Sequence, residues 1–114
     1  MTPFETRTEI LDDGTTVVAV AGEIDMATAA EFEKTMHAAL DTQLDRPVLV
    51  DLTECGFLDS TALKVLIAAR HRYVESEPML ALIADDPSLL RLFEISGLDG
   101  CFAIHPSRPA VNLV

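Results

Sequence analysis

The chain has 114 residues, 49% of them apolar, which fits one globular domain whose core needs neither metals nor disulfides. Its 8 basic and 19 acidic residues give a formal net charge of −11. Nucleic acid and anionic lipid surfaces carry the same sign and are therefore disfavoured as partners, whereas a basic protein surface is favoured. With no Trp and one Tyr, the core is expected to be aliphatic.

No segment of the sequence predicts export or membrane insertion. Residues 1–14 are polar and acidic, unlike a signal peptide. No apolar run reaches the roughly 18 residues that a membrane-spanning helix needs. The sequence thus predicts a single cytoplasmic domain over residues 1–114, with loose termini at 1–6 and 106–114.

The two cysteines, Cys55 and Cys101, lie in apolar segments of the sequence. They are expected to be small buried thiols in a reducing compartment. A disulfide and a redox role stay open, although the sequence contains no C-x-x-C pair to support them.

The first two predicted strands flank a turn. Asp12-Asp13-Gly14 separates the β-prone residues 8–11 from residues 15–21, and Asp-Gly between two such runs favours a hairpin. The second run is almost wholly apolar, which is typical of a strand covered on both faces.

Strands and helices then alternate. Apolar residues at helical spacing predict a helix over 26–40, with Asp25 as its N-cap or Thr28 and Glu31 as a competing capping box. The further predicted elements are a strand at 48–52, a loop at 53–59, a helix at 60–75 stopped by Pro78, a strand at 79–84, a helix opened by Asp85-Asp86-Pro87 and ended by Ser96-Gly97, and a short strand at 101–104. This order predicts an α/β domain whose mixed central sheet opens with a hairpin and packs against helices, its later strands parallel.

An enzyme is disfavoured. Ser60 follows a strand and a loop, as a nucleophile elbow would, but Leu58 and Ala62 stand where the G-x-S-x-G turn needs glycine. The three candidate bases have the context of solvated surface histidines: His37, His71 and His105. No metal-ligand spacing and no glycine-rich nucleotide loop occurs, so neither a metal nor a cofactor is expected.

Ser60 has two open interpretations from residue chemistry. A hydroxyl at a helix start is typical of an N-cap. A phosphate on Ser60 would also meet free backbone N–H groups and the positive helix end, and would add a charge of about −1.5 to −2 beside Asp59. The preceding residues 54–58 mix apolar groups with Gly56, which suits a contact surface.

Three segments, taken in order, resemble one family. They are Gly22-Glu23-Ile24-Asp25, then Val50-Asp51-Leu52-Thr53 with Phe57-Leu58-Asp59-Ser60-Thr61-Ala62-Leu63, and finally Leu92-Phe93-Glu94-Ile95-Ser96-Gly97-Leu98. They are similar to the first turn, the phosphorylation motif and the closing helix of the anti-sigma-factor antagonists, also called STAS domains.

The resemblance implies a STAS-like fold without catalytic residues of its own. It implies a domain that binds an anti-sigma factor with serine kinase activity and so releases a sigma factor. The kinase phosphorylates the motif serine and weakens binding, and a serine phosphatase restores it. By position, the phosphoacceptor is Ser60, and the partner-binding residues are Asp25, Leu58, Asp59 and Thr61.

Two positions depart from the family motif. Thr61 replaces its second serine and keeps a hydroxyl, so a phosphosite at Thr61 stays open. Ala62 replaces glycine, and its methyl group could obstruct close approach by a partner. The alternative hypothesis is a STAS-type accessory or scaffold subunit of a transport or stress-signalling complex, with Ser60 only a helix cap.

Overall fold

The computed structural model describes residues 2–42, 47–73 and 80–108. The elements in chain order are β1 (Glu5–Ile10), β2 (Thr16–Ile24), α1 (Ala29–Thr42), β3 (Val48–Leu58), α2 (Ser60–Tyr73), β4 (Leu80–Ile83), α3 (Pro87–Ser96), a 3-10 turn (Leu98–Gly100) and β5 (Ala103–His105). The predicted end of the second helix, its stop at Pro78 and the last part of the tail lie outside the described residues.

The five strands form one sheet whose spatial order, β1-β2-β3-β4-β5, is the order of the chain. β1 runs antiparallel to β2 as a hairpin, and β2 to β5 are parallel. The predicted mixed sheet, the opening hairpin and the α/β class are therefore confirmed.

All three helices pack on the same face of this sheet. Phe32 of α1, Leu66 of α2 and Phe93 of α3 are each 0% exposed and share one apolar cluster with the inward side chains of the strands. Aliphatic side chains make up most of this core, as the scarcity of aromatic residues predicts.

The helix-free face of the sheet carries a second, smaller cluster. Val17, Leu49, Ala81 and Ile83 alternate along their strands with the residues that face the helices, and each is at most 1% exposed. Both faces of the parallel strands are thus buried, which accounts for their almost continuous apolar sequence.

Ion pairs of Arg108 connect parts of the chain that are far apart in sequence. The Asp51 carboxylate, 7% exposed, accepts hydrogen bonds from the backbone N–H and the hydroxyl of Thr53 at 3.0 and 2.7 Å. Arg108 Nε lies 2.8 Å from Asp51 Oδ2, and Arg108 Nη2 lies 3.2 Å from Glu9 Oε1. Arg108, which lies in the tail expected to be loose from residue 106, is held against β1 and β3 by these contacts.

The N-terminal residues were also expected to be loose to residue 6, but β1 begins at Glu5. The pairing of Glu5 with Ala21 and of Thr6 with Val20 gives the first strand a partner along its whole length. Thr6 Oγ1 additionally lies 3.1 Å from Thr35 Oγ1 of α1.

β3 is longer than the sequence predicted. Instead of ending at Leu52, it continues to Leu58, so the predicted loop at 53–59 is wrong for all but its last residue. The pairing with β2 shifts register between Ala19 and Ala21 and again between Gly22 and Glu23. Such irregularities place consecutive residues on the same side of a strand and hide the period of two that identifies it.

The start and end of α3 follow the predicted signals. Asp86 Oδ2 accepts a hydrogen bond from Leu89 N at 3.1 Å, and Pro87 is the first helical residue. Gly97 ends the helix with φ of 81°, a left-handed conformation that glycine adopts without strain.

Two single-residue predictions are corrected. Cys55 is buried, and burial raises the pKa of its thiol, but Cys101 is exposed because it lies in the turn before β5. His105 is not a solvated tail residue, since it belongs to β5 and is half-buried. Its Nε2 is buried and has no hydrogen-bond partner in the described part of the chain.

Candidate functional site

The carboxyl ends of β2 and β3 meet at one edge of the sheet and define the candidate site. Ile24 and Leu58, the last residues of the two strands, are paired across the sheet. The N–H of Asp59 donates a hydrogen bond to the Ile24 carbonyl oxygen at 3.1 Å. The residues that follow the two strands, Asp25 and Asp59, are therefore held next to each other.

Asp25 caps the turn that leads into α1. Its Oδ1 accepts hydrogen bonds from Ala27 N at 2.9 Å and Thr28 N at 3.2 Å. Thr28 Oγ1 in return accepts from Asp25 N at 2.9 Å, which is the reciprocal pattern of a capping box. Because α1 begins at Ala29, Asp25 caps the turn of residues 26–28 ahead of the helix, and the predicted helix start at residue 26 with Asp25 as its N-cap is three residues too early. Thr28 bonds to Asp25, and no bond of a capping box with Glu31 is found among the described residues.

Asp59, not Ser60, caps α2. Asp59 Oδ1 accepts hydrogen bonds from Thr61 N at 2.9 Å and Ala62 N at 3.1 Å. Burial raises the pKa of the Asp59 carboxyl, but the bonds from the Ala62 and Thr61 amides and the Thr61 hydroxyl outweigh it, and the pKa lies below its usual value. The interpretation of Ser60 as a helix cap is therefore wrong.

Ser60 is the first residue of α2 and is exposed. Within the described residues, its hydroxyl has no hydrogen-bond partner. The amides of Thr61 and Ala62 are already occupied by Asp59, so the expectation of free N–H groups for a phosphate is wrong for these two. Thr61 itself is half-buried.

Two motif residues face the core instead of a partner. Leu58 is 3% exposed and Ala62 is 0% exposed, and both belong to the cluster beneath the helices. The Leu58 side chain cannot reach a partner in this structure, and the Ala62 methyl group cannot obstruct one. Both positions were assigned from the motif alone, which does not show which way a side chain points.

Two exposed apolar side chains lie near Ser60, one inside residues 54–58, which the sequence predicts as a contact surface, and one that the sequence did not single out. Phe57 at the end of β3 is 46% exposed, and Met26, directly after Asp25, is 82% exposed. In β3 two exposed residues precede Leu58, so the outward direction of Phe57 does not follow from a period of two. These two apolar residues next to two carboxylates suit contact with another protein.

Other chemistry has little support in the described residues. No three His, Cys, Asp or Glu side chains in ranges 2–42, 47–73 and 80–108 cluster as metal ligands. His37 and His71 are exposed. A cavity of about 80 Å³ lies on the helix-free side of the sheet, lined by charged residues that include Arg7, Asp51 and Arg108. In the described ranges, no helix has the length and apolar character to span a membrane.

Comparison with models of known protein families identifies the family of this chain. A family profile described as "Mlab, STAS domain" matches residues 8–106, which is most of the sequence. The chain therefore belongs to the STAS domain family.

Within this family, the similar proteins of known name include anti-sigma factor antagonists. The anti-sigma-B factor antagonist of Listeria monocytogenes is 34% identical over 97 residues, 83% of this chain and 82% of the relative. The anti-sigma-F factor antagonist RsfB of Mycobacterium tuberculosis is 30% identical over 94 residues, 81% of this chain and 74% of the relative.

Solved structures show the same fold. The crystal structure of an anti-sigma factor antagonist from Mycobacterium paratuberculosis is 33% identical, with a TM-score of 0.83 over 93% of this chain and 88% of that one. Unphosphorylated SpoIIAA, an anti-sigma factor antagonist, is 13% identical, with a TM-score of 0.69 over 90% and 89% of the two chains. At that identity the likeness extends to the fold alone.

Proposed function

We propose that the chain binds an anti-sigma factor with serine kinase activity and thereby releases a sigma factor. Phosphorylation of Ser60 by that kinase switches binding off, and a serine phosphatase restores it. The chain is the substrate in this cycle and has no catalytic role or cofactor. Since sigma factors act on RNA polymerase, the proposal places the protein in the cytoplasm. The names of its relatives support the antagonist role.

The observation that carries the proposal is the accessible hydroxyl of Ser60. Because Asp59 does the capping, Ser60 stays exposed and without a hydrogen bond in the described part of the structure. In the transfer, Ser60 Oγ bonds to the γ-phosphorus of ATP, the bond from that phosphorus to ADP breaks, and a base of the kinase takes the hydroxyl proton. Thr61 is less suitable, because it is half-buried and both its amide and its hydroxyl interact with Asp59.

The docking surface consists of Met26, Phe57 and Ser60 with the carboxylates of Asp25 and Asp59. The two apolar residues supply the area to be buried, and the carboxylates favour a partner with a basic rim. A phosphate on Ser60 adds a charge of about −1.5 to −2. The phosphate must lose its bound water when the partner docks. This desolvation cost opposes binding even where the partner is basic.

Modification and binding test the proposal separately. Incubation with candidate anti-sigma kinases and ATP, followed by mass spectrometry of residues 57–64, is expected to show one phosphate on the wild type and on Thr61→Ala, and none on Ser60→Ala. In pull-down with the same anti-sigma factor, Ser60→Ala is expected to bind and Ser60→Asp to bind weakly. Equal binding by these two variants would contradict the switch.

A second candidate is an accessory subunit of a transport or stress-signalling complex. The match to a STAS domain profile is compatible with this candidate as well as with the antagonist role. In that case Ser60→Ala and Ser60→Asp would both support function, and no anti-sigma factor would be captured. A small hydrolase that uses Ser60 as its nucleophile is the least favoured candidate. It would require that a serine-reactive phosphonate labels the protein.

A further inference from the structure

Lys64 is a positive charge one helical turn from Ser60. The two residues occupy positions i and i+4 of α2, and both are exposed. Residues at this spacing are neighbours on one helix face, with about 5–6 Å between their Cβ atoms. Helical side chains lean toward the N-terminus, which favours a Lys64 side chain directed toward the turn that contains Ser60.

The Lys64 ammonium has no ion-pair partner within the described ranges. Of the charges at the start of α2, Asp59 is engaged with the backbone of its own helix and does not neutralise Lys64. A cation is therefore available beside Ser60 in the unmodified protein.

A phosphate on Ser60 would be stabilised by such a cation. Asp59 Oδ1 already holds the amides of Thr61 and Ala62 at 2.9 and 3.1 Å. A phosphate that displaced Asp59 would leave that carboxylate without its donors, and one that did not would have a second negative charge beside it. At the helix N-terminus the phosphate would thus compete with Asp59 for the amides of Thr61 and Ala62.

We infer that Lys64 is the counter-charge of phospho-Ser60 and holds its phosphate in an ion pair on the outer face of α2. The inference rests on the proposed modification of Ser60. It makes Lys64 a positioning residue for the modified state, because a phosphate paired at i+4 lies over the exposed face of α2 instead of against the backbone of its first turn.

The second pKa of the phosphate reports this pairing. Phosphoserine installed at position 60 during translation makes the measurement independent of any kinase, and ³¹P NMR gives the pKa, which is about 6 without neighbours. A nearby cation lowers this pKa, so Lys64→Gln is expected to raise it by about 0.1–0.4 pH unit at low ionic strength. Lys64→Arg is expected to keep the wild-type pKa, and about 1 M salt is expected to remove the difference.

Arg7→Gln is the matched control. It removes one positive charge from β1, where Arg7 lines the cavity on the helix-free side of the sheet, and is expected to leave the phosphate pKa unchanged. An unchanged phosphate pKa in Lys64→Gln would overturn the inference. So would large downfield shifts of the Thr61 and Ala62 amide signals on phosphorylation, because they would place the phosphate on the backbone.

Failure here is distinguishable from failure of the proposed function. A protein that no anti-sigma kinase modifies can still show the Lys64 effect on an installed phosphate. Conversely, phosphorylation of Ser60 can abolish partner binding in a protein whose phosphate does not respond to Lys64.

Discussion

Arg108 and Asp51 form an ion pair across 57 residues of sequence, with 2.8 Å between Arg108 Nε and Asp51 Oδ2. Asp51 is 7% exposed, whereas the Arg108 side chain is 36% exposed. Without Arg108, the described contacts of the Asp51 carboxylate would be reduced to the N–H and hydroxyl of Thr53. The pair thus connects the segment after β5 to the middle of β3.

Arg108→Ala is expected to lower the free energy of unfolding by about 1–2 kcal/mol, between the values for exposed and for buried ion pairs. Urea denaturation monitored by circular dichroism measures this change. Arg91→Ala removes an exposed arginine of α3 and is expected to change stability by less than about 0.5 kcal/mol. A similar loss in both variants would show that the ion pair makes no specific contribution.

Asp51 is also expected to contribute to the acid sensitivity of the fold. Burial raises the pKa of its carboxyl, but the hydrogen bonds from Thr53 and Arg108 outweigh burial, and the pKa lies below its usual value. A carboxyl with a lowered pKa in the folded state stabilises it above the unfolded pKa of about 3.9, and that stabilisation is lost as pH falls through the folded pKa.

Unfolding free energies measured from pH 7 downward should therefore fall less steeply for Asp51→Asn than for the wild type, below about pH 5. Asp99→Asn, which changes an exposed aspartate of the 3-10 turn, is expected to retain the wild-type slope. The same acid slope in wild type and Asp51→Asn would exclude Asp51 as a source of the sensitivity.

Gly22→Ala is expected to destabilise the packing of the C-terminal part of β2 against the residues that precede β1. Gly22 has φ of 89°, and a Cβ there would lie 2.9 Å from the Phe4 backbone. Backbone strain of this kind costs about 1–3 kcal/mol. The steric clash with the Phe4 backbone adds to that cost. Gly100→Ala, where a Cβ would meet nothing within 4 Å, is the control. Thermal unfolding of the two variants should separate them, and equal midpoints would refute the steric reason.

Phe57→Ala is expected to weaken binding to the anti-sigma factor at least about tenfold, as truncation of an aromatic anchor does. Because Phe57 is 46% exposed, the stability of the free protein should change little. Ile95→Ala removes an apolar side chain that is 73% exposed on α3 and should leave affinity unchanged. Calorimetric titration gives both affinities, and a wild-type affinity for Phe57→Ala would remove Phe57 from the docking surface.

Local signals in the sequence were sufficient for much of the fold. Asp86, Pro87 and Gly97 carry the start and end of α3, because cap and stop preferences act within a few residues. The Asp-Gly turn likewise identified the hairpin. The cap of α2 was misplaced by one residue, since adjacent Asp59 and Ser60 are both good caps and only the backbone geometry selects between them.

The rest of the site required three-dimensional information. The direction of Phe57 and Leu58 depends on the register shifts between β2 and β3, which break the alternation that a sequence shows. The contact of Arg108 with Asp51 joins residues 57 positions apart, and neither residue has a local pattern that specifies the other. The acceptor position Ser60 came from the family motif, and its modification stays a prediction.

The agreement between strand order and chain order also bears on how the protein is made. In the part of the chain that the structure describes, β2 to β5 each add to the free edge left by the strand before, and no strand inserts between two that are already paired. The opening hairpin can therefore form as soon as it leaves the ribosome, and each helix and strand that follows can join it in the order of synthesis. The residues of the proposed docking surface, between positions 25 and 60, precede β4 in the chain and therefore leave the ribosome before it does.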